Sequence, residues 1–153
     1  MNAMNRDEAS LRALTILLRA SSSVSSMLKR DMQSYGLNPT EFTVMEVLYN
    51  KGAQPIQVIG NKVLLASSSI TYVIDQLEKK TYVERKVNEN DRRITLVSLT
   101  ASGQKFMEEV FPQHSKIIQE LFGELPQEDI ESLSESLKTV GFKAIDILDD
   151  SVE

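Results

Sequence analysis

Short polar side chains and a basic turn lie close together in residues 66–100, and their types suit hydrogen bonding more than catalysis. Apolar residues at helical spacing predict a helix with one buried face: Ile70, Val73, Ile74 and Leu77. The opposite face then presents hydroxyl, amide and amine groups: Ser67, Ser68, Ser69, Thr71, Tyr72, Gln76 and Lys79. A turn with the sequence Asp91-Arg92-Arg93 follows downstream. A polar helix face beside a cationic turn is typical of surfaces that contact the grooves of DNA.

The chain offers little of the chemistry that enzymes use. It has no cysteine and one histidine, and it has no glycine-rich loop that would cradle a phosphate. The acidic pairs Glu108-Glu109 and Asp149-Asp150 are adjacent in sequence, so their carboxylates diverge on a helix. The absence of cysteine also excludes disulfides and thiol redox sensing by this chain. We therefore predict a protein that is not an enzyme and that uses no cofactor and no metal.

Charge is distributed unevenly along the 153 residues, although the net charge is only −5. Residues 1–50 carry five basic and five acidic side chains, residues 51–100 carry eight and five, and residues 101–153 carry four and twelve. Since charges more than about 8 Å apart are largely screened at physiological salt, a bound phosphate senses only the local field. An acidic chain can therefore bind DNA through one basic face. An excess of three positive charges also fits a chance fluctuation of surface charge.

Composition limits the class of protein. A chain with 41% hydrophobic and 25% charged residues is ordinary for a folded, soluble domain. No apolar run approaches the roughly 18 residues that a membrane-spanning helix needs. The N-terminal region lacks the continuous apolar segment of a secretory signal. These patterns predict a cytoplasmic protein of about one domain.

Hydrophobic periodicity predicts a mainly α fold with a small β-hairpin, in the order α-α-α-α-β-β-α-α. Asn38 and Thr100 are the predicted N-caps of the second and fifth helices. The pattern leaves room for a third short strand around Gln54. The second, third and fourth helices are separated by short turns, as in a helix-turn-helix motif, and the hairpin over residues 82–99 resembles an appended wing. The predicted fold class is therefore a winged helix-turn-helix.

The terminal helices flank this middle part of the chain. We predict a winged DNA-binding region over residues 37–100 and a helical dimerisation region formed by residues 1–36 and 101–153. The outer helices are apolar on more than one side and have no domain of their own to fill. Packing against each other and against a second copy would bury them, which predicts a homodimer. A monomeric helical bundle is the alternative.

These residues resemble the MarR family of bacterial winged-helix repressors over nearly the whole chain. Residues 67–80 look like that family's recognition helix, residues 91–93 like its wing motif, and residues 99–103 like its junction after the wing. The run 59–73 is most similar to the MhqR-like subgroup, which represses quinone and phenolic detoxification genes. The resemblance implies a ligand-responsive repressor of detoxification or stress genes. It would bind a palindromic operator as a dimer and be released by a small aromatic effector.

Two residues depart from the family's pattern. Tyr72 stands where the family often has arginine, so a base preference cannot be carried over. Thr81 stands where the family usually has glycine at the end of the recognition helix. A β-branched residue is poorly suited to left-handed backbone, so this helix must end in another way or with strain.

The resemblance also implies roles for individual residues. The helix 67–80 would lie in the major groove, and one wing arginine would enter the minor groove while Asp91 pairs with the other. Which arginine does which stays open, with Arg93 favoured as the salt-bridged or groove-anchoring residue and Arg92 for the tip. Candidate phosphate contacts are Gln54, Gln57 and Lys62. Further sequence-independent attraction is predicted for Lys79, Lys80, Arg85 and Lys86.

The resemblance also implies a cleft that binds the effector. In this family the ligand cleft usually lies between the dimer helices and the winged module. Its candidate lining residues here are Met27, Tyr35, Phe42, Met45 and His114. A place in the core or in an interface fits each of them better than a place in a pocket.

The rival function is a winged-helix module that binds protein instead of DNA, which Tyr72 and the acidic C-terminal third leave open.

Overall fold

The computed structural model describes residues 5–62 and 67–151, except for the side chains of Ser67 and Ser68. Its elements are α1 (Arg6–Ser34), α2 (Pro39–Lys51), β1 (Gln54–Pro55), α3 (Ile56–Lys62), α4 (Ser67–Lys79), β2 (Val83–Val87), β3 (Thr95–Leu99), α5 (Ala101–Leu121) and α6 (Gln127–Asp150). This order confirms the predicted fold class, including the short strand at Gln54. Residues 63–65, predicted to be apolar positions around the turn between α3 and α4, lie outside the described residues.

Contacts divide the chain into two compact units, residues 1–111 and residues 112–153. The boundary falls inside α5, whereas the predicted division separates residues 37–100 from the flanking helices. The observed units are defined by contacts within a single chain, whereas the predicted regions are defined by DNA binding and dimerisation. The predicted functional division stays a prediction.

Asparagine side chains set the starts of α1 and α2. Asn5 Oδ1 accepts a hydrogen bond from the N–H of Glu8, and Asn38 Oδ1 accepts one from the N–H of Glu41, each at 2.8 Å. In return, each glutamate carboxylate accepts from the asparagine N–H, which completes a capping box. Pro39 takes the first helical position of α2, where a backbone N–H would have no helical partner. The predicted cap at Asn38 is confirmed.

The three strands form an antiparallel sheet in the order β1-β3-β2. All of β2 pairs with β3, and the two residues of β1 pair with the other edge of β3. Within the hairpin predicted over residues 82–99, the strands begin at Val83 and Thr95, because Tyr82 and Ile94 use their N–H groups in turns. The N–H of Tyr82 donates to the carbonyl of Leu77, and that of Ile94 donates to the carbonyl of Asp91. The predicted wing is otherwise confirmed.

One apolar core occupies the first unit. Its largest fully buried side chains are Phe42, Val44, Met45, Ile59, Ile70, Ile74, Leu77, Val97 and Met107. The predicted apolar face of α4 is confirmed, since all four of its residues are buried. On α2 the spacing of apolar residues predicts Phe42, Met45, Val47 and Leu48 as core positions, but Val44 is fully buried and Val47 is only half-buried. The reason is that α2 packs against α1, α3, α4 and β3, so more than one of its faces is covered.

Helix α6 has a different character. No described residue of α6 is buried. Its large exposed apolar side chains are Leu133, Leu137, Val140, Phe142, Ile145, Ile147 and Leu148. Pro126 precedes the helix as its N-cap. Within the described ranges, no helix combines the length and the apolar character that crossing a membrane requires.

Candidate nucleic-acid interface

Helix α4 presents a polar face opposite the face that it buries in the core. The exposed or half-exposed side chains of this polar face are Ser69, Thr71, Tyr72, Gln76 and Lys79. Tyr72 keeps 65% of its surface exposed, so both its ring and its hydroxyl are accessible. Ser67 and Ser68 open the helix, but their side chains lie outside the described part of the chain. The helix therefore has hydrogen-bonding groups available along one side.

The C-terminal end of α4 is strained at Thr81. This residue has a φ of 67°, in the left-handed region. Its N–H donates to the carbonyl of Glu78 at 2.8 Å, and the N–H of Tyr82 donates to that of Leu77 at 3.1 Å. These two bonds form a Schellman motif, in which glycine usually takes the left-handed position because a Cβ there costs about 1–2 kcal/mol. Of the two expected outcomes, the structure shows the strained helix end.

Thr100 and Gly103 brace this strained turn from the other side of the wing. Thr100 Oγ1 donates to the carbonyl of Thr81 at 2.6 Å, and the N–H of Thr100 donates to the carbonyl of Tyr82 at 3.0 Å. Thr100 Oγ1 also accepts from the N–H of Gly103 at 3.0 Å, which confirms Thr100 as the N-cap of α5. A Cβ at position 103 would overlap the Tyr82 carbonyl oxygen. Glycine at 103 therefore permits the close approach that joins α4, the wing and α5.

The two adjacent arginines at the wing tip differ, since Arg93 is held by Asp91 and Arg92 is exposed. Arg93 donates from Nε and Nη2 to the two carboxylate oxygens of Asp91, each at 3.0 Å, and from its backbone N–H at 3.1 Å. The side-chain bond and then the backbone bond hold the pKa of Asp91 below its ordinary value. Arg92 is exposed and forms no ion pair with any residue in the described ranges. Arg93 is therefore the arginine that pairs with Asp91, and the roles of both arginines on DNA stay predictions.

Lys80 is tied to the start of α2. Its Nζ lies 2.7 Å from Oε2 of Glu41 and donates to the carbonyl of Gly36 at 3.2 Å. Glu41 is only 5% exposed, and a buried carboxylate needs such a partner because its desolvation is costly. Lys80 is therefore less available to a phosphate than predicted. Lys79 is exposed and, among the residues that the structure describes, has no ion-pair partner.

The cations of β2 are paired as well. Arg85 Nη1 lies 2.5 Å from Oε2 of Glu78, and Arg85 Nη2 lies 2.7 Å from Oδ1 of Asp75. Lys86 Nζ lies 3.0 Å from Oε1 of Glu84. These partners were not predicted from the sequence, in which both cations were expected to attract phosphates. Two acidic residues three positions apart on α4, facing a strand with a basic residue, were the available signal.

Three predicted phosphate contacts cluster at β1 and α3. Gln57 and Lys62 are exposed on α3, so both side chains are accessible. Gln54 is half-buried in β1, and its Nε2 donates to the carbonyl of Ala53 at 2.9 Å. This local bond leaves less of the Gln54 amide free than the sequence suggested. Their contacts with DNA stay predictions.

The residues predicted to line an effector cleft differ in exposure. Phe42 and Met45 are fully buried in the core, so neither borders open space in this conformation. A ligand could reach them only by displacing packed side chains. Met27 and Tyr35 are half-buried, and His114 is buried. A part in effector binding stays a prediction for these residues.

Tyr35 is held by a carboxylate at the end of α1. Its hydroxyl donates to Asp31 Oδ1 at 2.6 Å, and its ring centroid lies 6.0 Å from that of Phe42. Burial, and then the bond to Asp31, raise the pKa of Tyr35 to about 12. A shallow cavity of about 260 Å³ lies at the following turn, lined by Lys29, Gln33, Gly36, Leu37, Asn38 and Pro39. A half-buried tyrosine and a cavity thus both occur near the junction of α1 and α2.

Known proteins with similar sequences point to one family. The model of the MarR family matches residues 37–95. The HTH-type transcriptional regulator MhqR of Bacillus subtilis is 44% identical over 137 residues, which cover 90% of this chain and 94% of that protein. These relatives are transcriptional regulators, which confirms the prediction that the chain is not an enzyme.

Solved structures agree on the fold. AbsC, a MarR family transcriptional regulator from Streptomyces coelicolor, has a TM-score of 0.81 at 22% identity, covering 94% of this chain and 98% of that chain. NadR, solved in complex with 4-hydroxyphenylacetate, has a TM-score of 0.72 at 22% identity, covering 81% of this chain and 88% of that chain. With the 44% identity to MhqR, and a winged helix-turn-helix that exposes a polar helix, the chain belongs to the MarR family of DNA-binding transcriptional regulators.

Proposed function

We propose that this chain is a dimeric repressor of detoxification or stress genes, released from its operator by a small phenolic or quinone-like molecule. The observation that carries DNA binding is the exposed polar face of α4 together with a wing that keeps Arg92 unpaired among the described residues. Helix α4 packs on β2, so the helix and the wing form one connected surface. A groove-binding protein needs both hydrogen-bonding groups for bases and a cation for phosphates.

In the proposed complex, α4 lies in the major groove. This groove admits a helix, and each base pair presents a distinct pattern of donors and acceptors there. The side chains of α4 proposed to contact bases are Ser68, Ser69, Thr71, Tyr72 and Gln76. Ser67 and the free N–H groups at the start of the helix would hold a phosphate. Additional backbone contacts are proposed for Gln54, Gln57, Lys62 and Lys79.

The wing is proposed to reach the minor groove beside α4. Asp91 holds Arg93 through two side-chain bonds, which orders the tip before DNA arrives. Arg92, which has no ion-pair partner among the described residues, then enters the groove or contacts a phosphate there. Ordering the loop in advance lowers the entropic cost of binding. The two adjacent arginines are therefore proposed to have different roles.

A second copy of the chain would complete the operator-binding unit. In a single chain, large apolar side chains are exposed on α1 at Leu11, Leu14, Ile16 and Leu18, and also along α6. Covering them in a two-fold dimer would present two copies of α4 to DNA. A palindromic operator with half-sites about one helical turn apart would fit this arrangement.

The proposed effector class rests on relatives and on Tyr35. NadR was solved with 4-hydroxyphenylacetate, which is a phenol. Tyr35 and Met27 are half-buried here, so an aromatic ligand could contact them without opening the core, and His114 is a further candidate. A ligand that binds better to a dimer with wrongly spaced recognition helices would shift the population away from DNA.

Fluorescence anisotropy with a duplex from the region upstream of the chain's own gene tests DNA binding. We expect Arg92→Ala to weaken binding by roughly tenfold and to lower the slope of log affinity against log salt by about 0.9, because one phosphate or groove contact is lost. Arg93→Ala should weaken binding through loss of the ordered tip. The matched control is Lys105→Ala, which removes one exposed cation from α5 and should change little.

Two results would overturn this proposal. Absence of binding at low salt would favour the protein-binding module, as would affinity unchanged in the Arg92→Ala, Arg93→Ala double variant. The effector is tested separately by a thermal-shift screen of phenols and quinones. The expected hits raise the melting temperature and release the duplex. Stabilisation without release would contradict the proposed regulation.

A further inference from the structure

The guanidinium of Arg85 contacts three residues along one side of α4, at positions 71, 75 and 78. Its Nη2 lies 2.7 Å from Oδ1 of Asp75 and 3.5 Å from the carbonyl oxygen of Thr71, and its Nη1 lies 2.5 Å from Oε2 of Glu78. Positions 71, 75 and 78 form one stripe on a helix. A single side chain of the wing strand β2 therefore grips the recognition helix over about two turns.

The stripe lies beside the residues proposed to contact bases. Tyr72 and Gln76 each follow a residue that Arg85 contacts, Thr71 and Asp75 respectively. The Arg85 side chain is 25% exposed and faces two carboxylates, so most of its hydrogen-bonding capacity is used within the protein. Its charge is more than balanced locally. Arg85 is therefore poorly suited to attract phosphates and well suited to hold β2 and α4 together.

Apolar packing alone leaves part of the helix geometry open. The buried face of α4 fixes which side enters the core, but hydrophobic burial is not directional. A planar guanidinium with two carboxylate partners is directional, because its N–H groups point in fixed directions. The Arg85 contacts therefore constrain the rotation of α4 about its own axis and its angle to the wing. Both quantities decide where Tyr72 and Gln76 meet the base edges.

We propose that Arg85 is a positioning residue for sequence readout, which acts through Asp75 and Glu78 on α4 and not through a phosphate. This inference rests on the proposed DNA-binding function. It makes a prediction of unusual sign at Asp75. We call the contacts of Arg85 with Asp75 and Glu78 the clamp. Removing a negative charge beside DNA should by itself strengthen binding, whereas loosening the clamp should weaken binding to the operator only.

The test compares the duplex that the wild-type protein binds upstream of its own gene with a scrambled duplex of the same composition, over a series of salt concentrations. Arg85→Gln should weaken operator binding by about tenfold, the typical effect of one mismatched base pair. Scrambled-duplex affinity and the salt slope should stay unchanged. Asp75→Asn should also weaken operator binding, and the double variant should be no weaker than the weaker single variant, because both remove the same link.

Two further variants separate position from charge. Arg85→Lys keeps the charge but loses the planar fork, so we expect it to lose discrimination between the duplexes as Arg85→Gln does. Lys86→Gln is the matched control, since it removes one cation from the same strand and its partner Glu84 lies outside α4. This control should keep full discrimination. Circular dichroism monitors folding, and if Arg85→Gln does not fold, Asp75→Asn carries the test because the Glu78 contact remains.

Several outcomes would overturn the inference. Equal losses on both duplexes with a salt slope lowered by about 0.9 would make Arg85 a phosphate contact. Rescue by Arg85→Lys would reduce its role to charge, and stronger operator binding by Asp75→Asn would exclude the clamp. If the wild-type protein itself shows no preference for either duplex, the proposed function fails as well. If the wild-type protein prefers the operator duplex and every variant keeps that preference, only the proposed role of Arg85 is contradicted.

Discussion

The winged region buries most of its large apolar side chains, whereas helix α6 leaves most of its own exposed. Leu77 on α4 has no exposed surface, whereas Leu137 on α6 has 43% of its surface exposed. The first belongs to a core closed by α2, α4 and the sheet, and the second to a helix with no buried residue in its described length. One part of the chain therefore encloses its apolar side chains, whereas α6 leaves an apolar face uncovered. In our proposal a second copy of the chain covers that face.

A matched pair of Leu→Ala changes gives the largest expected effect. Leu77→Ala should lower the free energy of unfolding by about 2–5 kcal/mol, because it removes a fully buried side chain and leaves a cavity. The loss should not depend on protein concentration. Urea unfolding followed by circular dichroism measures it.

Leu137→Ala is the control, since it makes the same chemical change in another helix. At low protein concentration its effect should stay within about 0.5 kcal/mol, as for other exposed positions. At concentrations where the dimer forms, the loss should grow, because dimerisation stabilises by mass action. A loss as large as that of Leu77→Ala at every concentration would mean that α6 is buried within a single chain.

The strained end of α4 offers a smaller change with the opposite sign. Thr81→Gly should raise the free energy of unfolding by about 1 kcal/mol, since glycine adopts the left-handed region without steric cost. Thr81→Ala keeps the Cβ and should gain much less. Thermal or urea unfolding of the two variants compares them. Equal effects of alanine and glycine would show that the φ of 67° carries no strain.

The last prediction concerns the titration of Tyr35, the C-cap residue of α1. Its pKa is about 12 in the folded chain and 10 ordinarily, so the unfolded chain ionises first as pH rises. Stability from this group is therefore complete below pH 10 and is lost as pH rises through about 12. Phenolate absorbance can follow this titration, because the chain has four tyrosines and no tryptophan. Tyr35→Phe should remove the late-titrating tyrosine, and its persistence in that variant would contradict the assignment.

Much of the fold and part of the site could be predicted from local sequence. The cap at Asn38, the buried face of α4 and the Asp91–Arg93 pair each depend on residues within a few positions of one another. Thr81 was recognisable as a problem for the same reason, because its β-branch conflicts with the conformation that ends a helix at this position. Such interactions are decided by backbone geometry over one or two turns.

The tertiary structure alone decided which charges are available and which apolar residues are enclosed. Lys80 and Glu41 are 39 residues apart in sequence, and their pairing needs α2 and α4 to pack together. Arg85 was expected to contact a phosphate, but the packing of β2 against α4 brings it to Asp75 and Glu78 instead. Phe42 moved from a candidate cleft to the core because elements distant in sequence surround α2. Local patterns determine which faces of an element are polar or apolar, but only packing between elements determines what each face meets.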